Sequence, residues 1–437
     1  MATTNPMPRF PDGFLWGVST SAHQIEGAVD TREPSVWDVF TAEPGRVRDG
    51  STAAVACDHV HRHAEDVALL AGLGVDAYRF SVSWPRVRAE GGLDFYDRLV
   101  DELCAAGVRP VPTLFHWDLP AGLDWLERST AERFAEYAAE VAGRLGDRVK
   151  KWITLNEPAE HTLLGHALGV HAPGRKLLFD ALPVAHHQLL AHGLAVRALR
   201  AAGAGDIGIA NSHGPAWPAS REEADVAAAD FYDLLLNRLF ADPLLLGRYP
   251  EGVGELMPGD AAADLEVIAE PLDWYGINYY APTGVGAPKD TGTDFGGVRI
   301  PAGLPFSVRE IEGHPVTDFG WPVVPQALTE ILTTFRARYG DRLPPVVITE
   351  NGCAYEGLDD RDRIAYLDGH LRALHRAVEA GVDVRGYFVW SLMDNFEWAE
   401  GYSRRFGLVH VDFGTLERTP KASYAWFRDL LREQRRA

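Results

Sequence analysis

The chain has 437 residues, of which 46% are hydrophobic and 24% charged, proportions that fit a globular protein and exclude a disordered, collagenous or disulfide-scaffold chain. Its 62 acidic residues outnumber 42 basic ones and give a formal net charge of -20, which repels nucleic-acid phosphates and anionic lipid surfaces. We therefore expect no nucleic-acid partner, no membrane partner, and a neutral or cationic small-molecule ligand.

The cysteine pattern and the N-terminal segment indicate the compartment. Cys57, Cys104 and Cys353 are odd in number and far apart, so they form neither a disulfide framework nor a paired-cysteine metal site. Residues 1 to 10 contain no apolar signal-peptide core, and no later segment approaches the ~18 apolar residues of a membrane span. These features predict a cytoplasmic protein. Nothing in the sequence indicates the oligomeric state.

Short apolar runs rich in β-branched and aromatic residues alternate with longer helical patterns along the chain, which is typical of βαβ units and a parallel sheet. Eight parallel strands with helices between them predict an α/β fold, a closed (β/α)8 or TIM barrel, and the absence of a linker predicts one domain over residues 1–437. The eight runs predict strands at Phe14 to Ala22, Ala77 to Val82, Arg109 to Leu114, Trp152 to Asn156, Ile207 to Asn211, Trp274 to Tyr280, Val346 to Glu350 and Arg385 to Trp390.

Glycines mark the predicted ends of several helices, because glycine readily adopts the left-handed conformation that caps a helix C-terminus. Three such helices are Ala64 to Leu73 before Gly74, Phe95 to Ala106 before Gly107, and Arg133 to Leu145 before Gly146. One long stretch, Pro282 to Gly320, looks irregular, and its position after the sixth strand predicts that it lies on the C-terminal rim of the barrel.

The C-terminal strand ends of such a barrel carry its active site. In this chain those ends are unusually polar, and they are followed by two further polar and aromatic positions. The set comprises Gln24, Arg79, His116, Trp117, Asn156, Glu157, Asn278, Tyr280, Glu350, Asn351 and Trp390, followed by Glu397 and Trp398.

Two glutamates dominate this set, Glu157 after the fourth strand and Glu350 at the end of the seventh. Buried carboxylates are rare without a partner, so two of them at one barrel mouth indicate paired chemistry. Glycosidic cleavage requires such a pair, one to protonate the leaving oxygen and one to attack the anomeric carbon or activate water. Aromatic side chains that offer flat faces to a sugar ring agree with this interpretation: Trp117, Trp125, Trp321, Trp390 and Trp398.

The sequence resembles the retaining β-glucosidases of glycoside hydrolase family 1 from about Phe10 to Leu430. Three motifs carry the resemblance, in the family's order: Phe14-Leu-Trp-Gly-Val-Ser-Thr-Ser-Ala-His-Gln24-Ile-Glu26-Gly, Thr154-Leu-Asn-Glu157-Pro and Ile348-Thr-Glu350-Asn-Gly.

The resemblance implies a role for each matching residue and needs neither a cofactor nor a metal. It implies that Glu350 is the nucleophile, that Glu157 is the general acid and then the base, and that Asn156 bonds the sugar 2-hydroxyl. The remaining matches are nucleophile support by Arg79 and Tyr280, the glycone subsite of Gln24, His116, Trp390, Glu397 and Trp398 bordered by Phe406, a network position for Asn278, and an aglycone-side aromatic at Trp321.

Elementary electrostatics divides these roles. Arg79 beside Glu350 favours the ionised carboxylate, whereas Glu157 facing that anion in a desolvated pocket should have a raised pKa. A retaining mechanism then predicts carboxyl groups ~5 to 5.5 Å apart.

Two features bear on the substrate. Relatives that cleave 6-phosphoglycosides carry phosphate-binding residues after the eighth strand, where this chain has Glu397, so an unphosphorylated glycone is favoured over the 6-phospho-β-glycosidase alternative. The family's tryptophan after the proline of the second motif is absent here, since Ala159 and Glu160 follow Pro158, and two rim loops look shortened. We therefore hypothesise that bulky or branched aglycones are accepted.

Alternative functions differ from hydrolysis in the residues that they require. A non-catalytic sugar-binding relative should lack one carboxylate, and both are present; transglycosylation uses the same intermediate and stays open. His59, His61 and His63 alternate, but we interpret them as a solvated helix start rather than a metal site. A second group in a helical segment is interpreted as packing residues: His186, His187 and His192. The expected partner is a small-molecule β-glycoside, terminated by a β-D-glucosyl, β-galactosyl or β-fucosyl residue.

Overall fold

The structure is a computed structural model that describes residues 6–295 and 298–436. In these residues eight parallel strands close into a barrel and follow one another around it in chain order, which confirms the predicted α/β barrel. The strands, named β1 to β8, are Leu15–Ser19, Ala77–Ser81, Arg109–Phe115, Trp152–Asn156, Ile207–Ser212, Trp274–Asn278, Val346–Asn351 and Val384–Trp390. Residues 1–5, which belong to the N-terminal segment used above, lie outside the described residues.

Helices follow the strands. The longer ones are His59–Leu73, Gly92–Ala105, Arg128–Leu145, Leu182–Ala201, Glu223–Asp233, Leu239–Leu246, Ala261–Ile268, Pro325–Tyr339, Arg361–Glu379 and Ala422–Arg435. Shorter ones are Ala22–Ile25, Val36–Thr41, Trp84–Val87 and Pro158–Glu160. No helix within the described ranges is both long enough and apolar enough to cross a membrane.

The glycine caps were predicted correctly at two of three positions. Gly74 and Gly107 have φ of 78° and 73°, in the left-handed region. Gly146 has φ of -66°, so the predicted left-handed cap is wrong there. The chain continues in a right-handed turn beyond the helix, because the Val149 amide still bonds the Leu145 carbonyl at 2.9 Å.

The barrel interior is filled by one buried side chain from each strand. These eight residues form a separate apolar cluster: Leu15, Ala77, Val111, Ile153, Ala210, Trp274, Val347 and Phe388. Side chains two positions apart on a strand share a face, so Arg79 and Trp390 point into the barrel beyond Ala77 and Phe388. The apolar layer therefore forms the floor beneath the polar strand ends.

The rim segment after β6 contains short strands rather than the irregular chain expected from its glycine and proline content. Thr283–Gly286 pairs with Ser307–Arg309 on one side and with Ala216–Pro218 on the other. Val285 and Val308 bury their side chains in a small apolar cluster, which stabilises the pairing of these two strands. Two further strands in it are Thr293–Phe295 and Val298–Ile300.

Candidate active site

A cavity of about 1040 Å³ opens at the C-terminal ends of the strands. Both predicted glutamates line it: Glu157 directly follows β4, and Glu350 is the penultimate residue of β7. Because parallel strands of one barrel end on the same side, residues almost 200 positions apart in the chain meet in one pocket.

Glu350 is held by two donors. Arg79 Nη1 donates to its Oε1 at 2.5 Å, and the Tyr280 hydroxyl donates to its Oε2 at 2.6 Å. The residue is 3% exposed, so these charge-assisted bonds replace almost all of its hydration. Arg79 is itself fully buried and balances the charge of the carboxylate.

Glu157 is held by amides instead of a cation. Asn278 Nδ2 donates to its Oε1 at 2.9 Å, and Asn156 Nδ2 lies 3.4 Å from its Oε2. Its backbone has φ of 45° and ψ of 60°, a left-handed conformation that costs about 1–2 kcal/mol for a residue other than glycine. That conformation turns the chain from β4 into the helical turn beginning at Pro158, and it is the kind of local strain that accumulates at functional sites.

One hydrogen-bond network links the two carboxyl groups. Arg79 Nη2 donates to Asn156 Oδ1 at 2.6 Å, and Asn278 Nδ2 lies 3.0 Å from the same oxygen. Thr349 Oγ1 donates to Asn278 Oδ1 at 2.6 Å and thereby fixes which end of that amide faces Glu157. The network therefore sets the relative position of Glu157 and Glu350.

The electrostatic environments of the two glutamates differ in degree. Burial, followed by the charge of Glu350 and then that of Glu160, raises the pKa of Glu157 well above its ordinary value. Burial also raises the pKa of Glu350, but Arg79 and Tyr280 oppose that rise. The expected raised pKa of Glu157 is thus present, whereas the ionised form of Glu350 depends on its two donors and not on a low intrinsic pKa.

Gln24 contacts Glu397, which lines the cavity, although Gln24 itself is fully buried and does not line it. Gln24 Nε2 lies 3.0 Å from Asn395 Oδ1 and 3.2 Å from Glu397 Oε2. Burial and the nearby Glu350 raise the pKa of Glu397 to about 8. His116 Nε2 lies 3.1 Å from Asn156 Nδ2, and burial and Arg79 lower the pKa of His116, so its imidazole is neutral and can accept this bond.

Aromatic rings form the walls. Trp398 packs 4.7 Å from Trp117 and is nearly parallel to His116, at 19° and 6.0 Å between ring centroids. A second group lies on the other side: Trp321 is 5.3 Å from Tyr280 and 6.1 Å from Phe406. Trp390 also lines the cavity.

Trp125 lies in the core and does not line the cavity. Its ring is fully buried and packs 5.3 Å from Phe115 and 6.1 Å from Phe134, so it belongs to the core and its interpretation as a sugar platform was wrong. The residue follows the third strand in sequence, but the intervening loop turns it beneath the rim instead of into the cavity.

The cavity extends beyond the predicted residues into an apolar lobe that the sequence reasoning missed. Its walls come from the chain after Glu157, from the segment after β5 and from the sheet after β6: Leu163, Leu164, Leu168, Tyr232, Leu235, Leu236, Leu304, Phe306 and Val308. Ser212 and Glu160 also line it. No motif marks these residues, since leucines in a helical pattern look the same whether they face a core or a cavity. The one sequence signal for this lobe was that Ala159 and Glu160 follow Pro158, so the family's tryptophan is absent.

The histidine groups are occupied by protein contacts. A helix does begin at His59, as predicted, but His59 is buried and its Nδ1 lies 2.7 Å from Asp66 Oδ2 instead of being solvated. His186 bonds Tyr249 and Asp264, and His192 bonds Thr154. In the described ranges no three histidine, cysteine or acidic side chains are grouped as metal ligands.

Comparison with known proteins gives a consistent result over the whole chain. Residues 7–436 match the sequence profile described as glycosyl hydrolase family 1. A thermostable β-glucosidase B from Thermobispora bispora is 46% identical over 97% of this chain and 90% of its own length. A bifunctional β-D-glucosidase/β-D-fucosidase from Bifidobacterium breve is 42% identical over 96% of this chain and 97% of its own. The solved structure of a family 1 β-glucosidase from Thermotoga maritima superposes with a TM-score of 0.91 at 41% identity, covering 98% of this chain and 99% of that one.

Proposed function

The chain belongs to glycosyl hydrolase family 1, and we propose that it is an exo-acting, retaining β-glucosidase in which Glu350 is the nucleophile and Glu157 the acid/base. Its substrates are small-molecule β-glycosides that end in a β-D-glucosyl residue, with β-galactosyl and β-fucosyl residues as secondary glycones. The similarity to β-glucosidases, one of them also a β-fucosidase, supports both parts of the proposal.

One observation carries the assignment of roles. The two carboxyl groups share a cavity and a hydrogen-bond network, yet only Glu350 contacts a cation, through Arg79. A carboxylate that is ionised can attack a carbon, whereas one whose pKa is raised holds the proton that a leaving group needs. The asymmetry supports Glu350 as nucleophile and Glu157 as acid.

In the first step an oxygen of Glu350 forms a bond to the anomeric carbon while the bond from that carbon to the aglycone oxygen breaks. Glu157 transfers its proton to the departing oxygen. Asn156 is placed beside both carboxyl groups by Arg79 and Asn278, where it can bond the sugar 2-hydroxyl.

In the second step the ester linkage has removed the negative charge of Glu350. The pKa of Glu157 falls, because part of its rise came from that charge. Glu157 then takes a proton from water, the hydroxyl oxygen attacks the anomeric carbon, and Glu350 is released as a carboxylate. Two inversions give net retention. Interception of the same ester by a sugar hydroxyl would be transglycosylation.

The glycone end of the cavity has the chemistry for an unphosphorylated sugar. His116 and Glu397 line it and offer hydrogen-bonding groups, with Gln24 bonded to Glu397. Trp390 and Trp398 offer flat faces. Glu397 takes the place where a phosphate-binding group would be needed, so the 6-phospho-β-glycosidase alternative is disfavoured. Beyond it the apolar lobe supports the hypothesis that bulky or branched aglycones are accepted, with Trp321 on the aglycone side.

We also propose that residues 1–437 act as one catalytic domain in the cytoplasm, without a cofactor or metal. The single barrel that contains every residue of the proposed mechanism supports the first part, and the three cysteines, which are all free, support the second.

The test combines two variants with product analysis. Glu350→Gln is expected to abolish turnover of aryl β-D-glucosides. Glu157→Ala should impair substrates with activated leaving groups least, and added azide should yield a β-glycosyl azide. NMR of the first sugar released by the wild-type enzyme should show the β-anomer. Full activity in Glu350→Gln, or an α-anomer as first product, would overturn the proposal.

A further inference from the structure

Glu160 is a third carboxyl group in the cavity, and the proposed mechanism does not use it. It lies three residues after Glu157, at the end of the helical turn Pro158–Glu160, and its side chain is partly buried against the cavity. Ser212 Oγ donates to its Oε1 at 3.1 Å. No arginine, lysine or histidine in the described part of the chain forms an ion pair with it.

The surroundings of Glu160 are apolar except for a few hydroxyl groups. Tyr232 and Thr283 line the same lobe, together with Leu235 and Leu236. Burial and then the charge of Glu160 raise the pKa of Tyr232 to about 12. Glu160 is therefore a nearly unpaired carboxyl group at the start of the apolar lobe, close in sequence to the proposed acid/base Glu157.

We propose that Glu160 selects the aglycone, favouring an apolar group that carries a protonated amine. The inference rests on the proposed function, because the aglycone is defined only if the chain cleaves β-glycosides. It adds a specificity-determining residue to that reaction.

The physical reason is the free-energy cost of burying a carboxylate charge that has no cation beside it. A carboxylate withdrawn from water is stabilised by a cation or else takes up a proton. The single hydroxyl of Ser212 does not compensate a full charge, whereas an ammonium group of the substrate would do so through a charge-assisted bond about twice as strong as a neutral one. The leucine walls would meanwhile bury the apolar body of the same aglycone.

The ionisation behaviour of Glu160 agrees with this role. Burial raises its pKa above the ordinary value. An ammonium group placed beside it would favour the ionised form, so the empty site can hold a neutral acid and the occupied site an ion pair.

Three cationic residues also line the cavity, and they would favour an anionic aglycone over a cationic one. Arg46, Arg48 and Lys176 line the same cavity. Arg46 is paired with Glu43 and Arg48 with Glu400, so part of their charge is already neutralised. If they dominated, an anionic aglycone would be preferred.

The experiment compares three aryl β-D-glucosides that differ only in one ring substituent: aminomethyl, hydroxymethyl and carboxylate. For the wild-type enzyme near pH 7 we expect kcat/KM for the aminomethyl compound to exceed that for the hydroxymethyl compound by about 10-fold or more. Glu160→Gln should reduce this ratio by about 10-fold or more. Dividing one ratio by the other cancels the difference in leaving-group reactivity between the substrates.

A matched control removes one acidic charge elsewhere. Glu136 is exposed on helix Arg128–Leu145, outside the cavity, and Glu136→Gln should leave the ratio at its wild-type value. An equal aminomethyl-to-hydroxymethyl ratio in wild type and Glu160→Gln, or a preference for the carboxylate compound, would overturn the inference. Failure of all three compounds to be hydrolysed would instead overturn the proposed function.

A measurement on the wild-type enzyme alone covers the case in which Glu160→Gln does not fold. Benzylamine and benzyl alcohol have the same shape and differ in charge. As competitive inhibitors of a simple aryl glucoside, the amine should have an inhibition constant about 10-fold lower. Equal constants would contradict the role given to Glu160.

Discussion

Arg79 and Glu350 lie on β2 and β7, which two other strands separate around the barrel, yet Arg79 Nη1 and Glu350 Oε1 are 2.5 Å apart. Arg79 also donates to the Thr349 carbonyl at 3.0 Å and to Thr113 Oγ1 at 3.1 Å. Groups on several strands thus hold the guanidinium of Arg79 in place. The proposed nucleophile, which one strand carries, is positioned by a cation that other strands hold in place.

Replacing Arg79 by glutamine should lower kcat/KM for aryl β-D-glucosides by about 10²- to 10³-fold, because it removes a donor aimed at the reacting carboxylate. Arg79 opposes the burial-driven rise in the pKa of Glu350, so its loss lets that pKa rise further. Attack requires the ionised form, and the acid limb of the pH profile of kcat/KM should therefore move to higher pH. An unchanged acid limb would show that Arg79 does not control this ionisation.

The basic limb of the same profile should belong to Glu157, whose pKa is raised well above its ordinary value and which must be protonated in the proposed first step. In Glu157→Ala, measured with an aryl glucoside that needs no proton on departure, the basic limb should disappear while the acid limb remains. Persistence of the wild-type basic limb in this variant would assign it to another group. The acid and basic limbs report apparent pKa values of the coupled pair Glu157 and Glu350. Each limb is therefore compared between variants and is not assigned as the pKa of a single residue.

The barrel and the position of both glutamates could be predicted because they depend on local patterns and one topological rule. β4 and β7 are fully buried apolar runs, and each ends at a polar motif. Once the strands are known to be parallel, the barrel rule brings those motifs to one rim without further information. Glu157 and Glu350 were found in this way although almost 200 residues separate them.

The remaining features depend on where loops turn, which no local pattern encodes. Trp125 and Trp117 are both tryptophans shortly after β3, but Trp117 lines the cavity with φ of 74°, while Trp125 is buried in the core. Gly146 follows a helix as Gly74 does and yet stays right-handed. The apolar lobe arises from three separate segments, so its existence is a property of the assembled rim.

Gly352 shows how tightly the chain at the end of β7 is packed against β8. A Cβ atom at this position would lie 1.8 Å from the Trp390 carbonyl oxygen, which belongs to the backbone and cannot move aside alone. Gly352→Ala should therefore displace the end of β7, lowering both kcat/KM and the thermal midpoint. Gly143→Ala is the matched control, because Gly143 lies inside helix Arg128–Leu145 with no atom within 4 Å of its Cβ position. That control should be neutral or stabilising by up to about 1 kcal/mol. Equal behaviour of the two variants would contradict the packing argument.

A buried ion pair on the side of the barrel predicts a different kind of effect, on stability and not on catalysis. Asp66 is fully buried on helix His59–Leu73 and accepts from Arg418 Nε at 3.0 Å and from Arg418 Nη2 at 3.2 Å. Burial alone would raise the pKa of Asp66, but the bonds from His59 and Arg418 outweigh it and lower the pKa. Asp66→Asn leaves the Arg418 charge uncompensated, which for a buried pair costs about 3–5 kcal/mol.

The expected result is a thermal midpoint several degrees below wild type at pH 7. Asp429→Asn, which removes an exposed carboxylate paired with Arg432 at 3.4 Å, should change stability by no more than about 0.5 kcal/mol. Because the folded pKa of Asp66 is lowered, its contribution is complete above the unfolded pKa of about 3.9 and is lost as the pH falls through the folded value. The difference between wild type and Asp66→Asn should therefore be constant from pH 7 to about 5 and should shrink only below about 4. A difference that grew with acidification, or an Asp66→Asn variant as stable as Asp429→Asn, would show that Asp66 is not held ionised by Arg418.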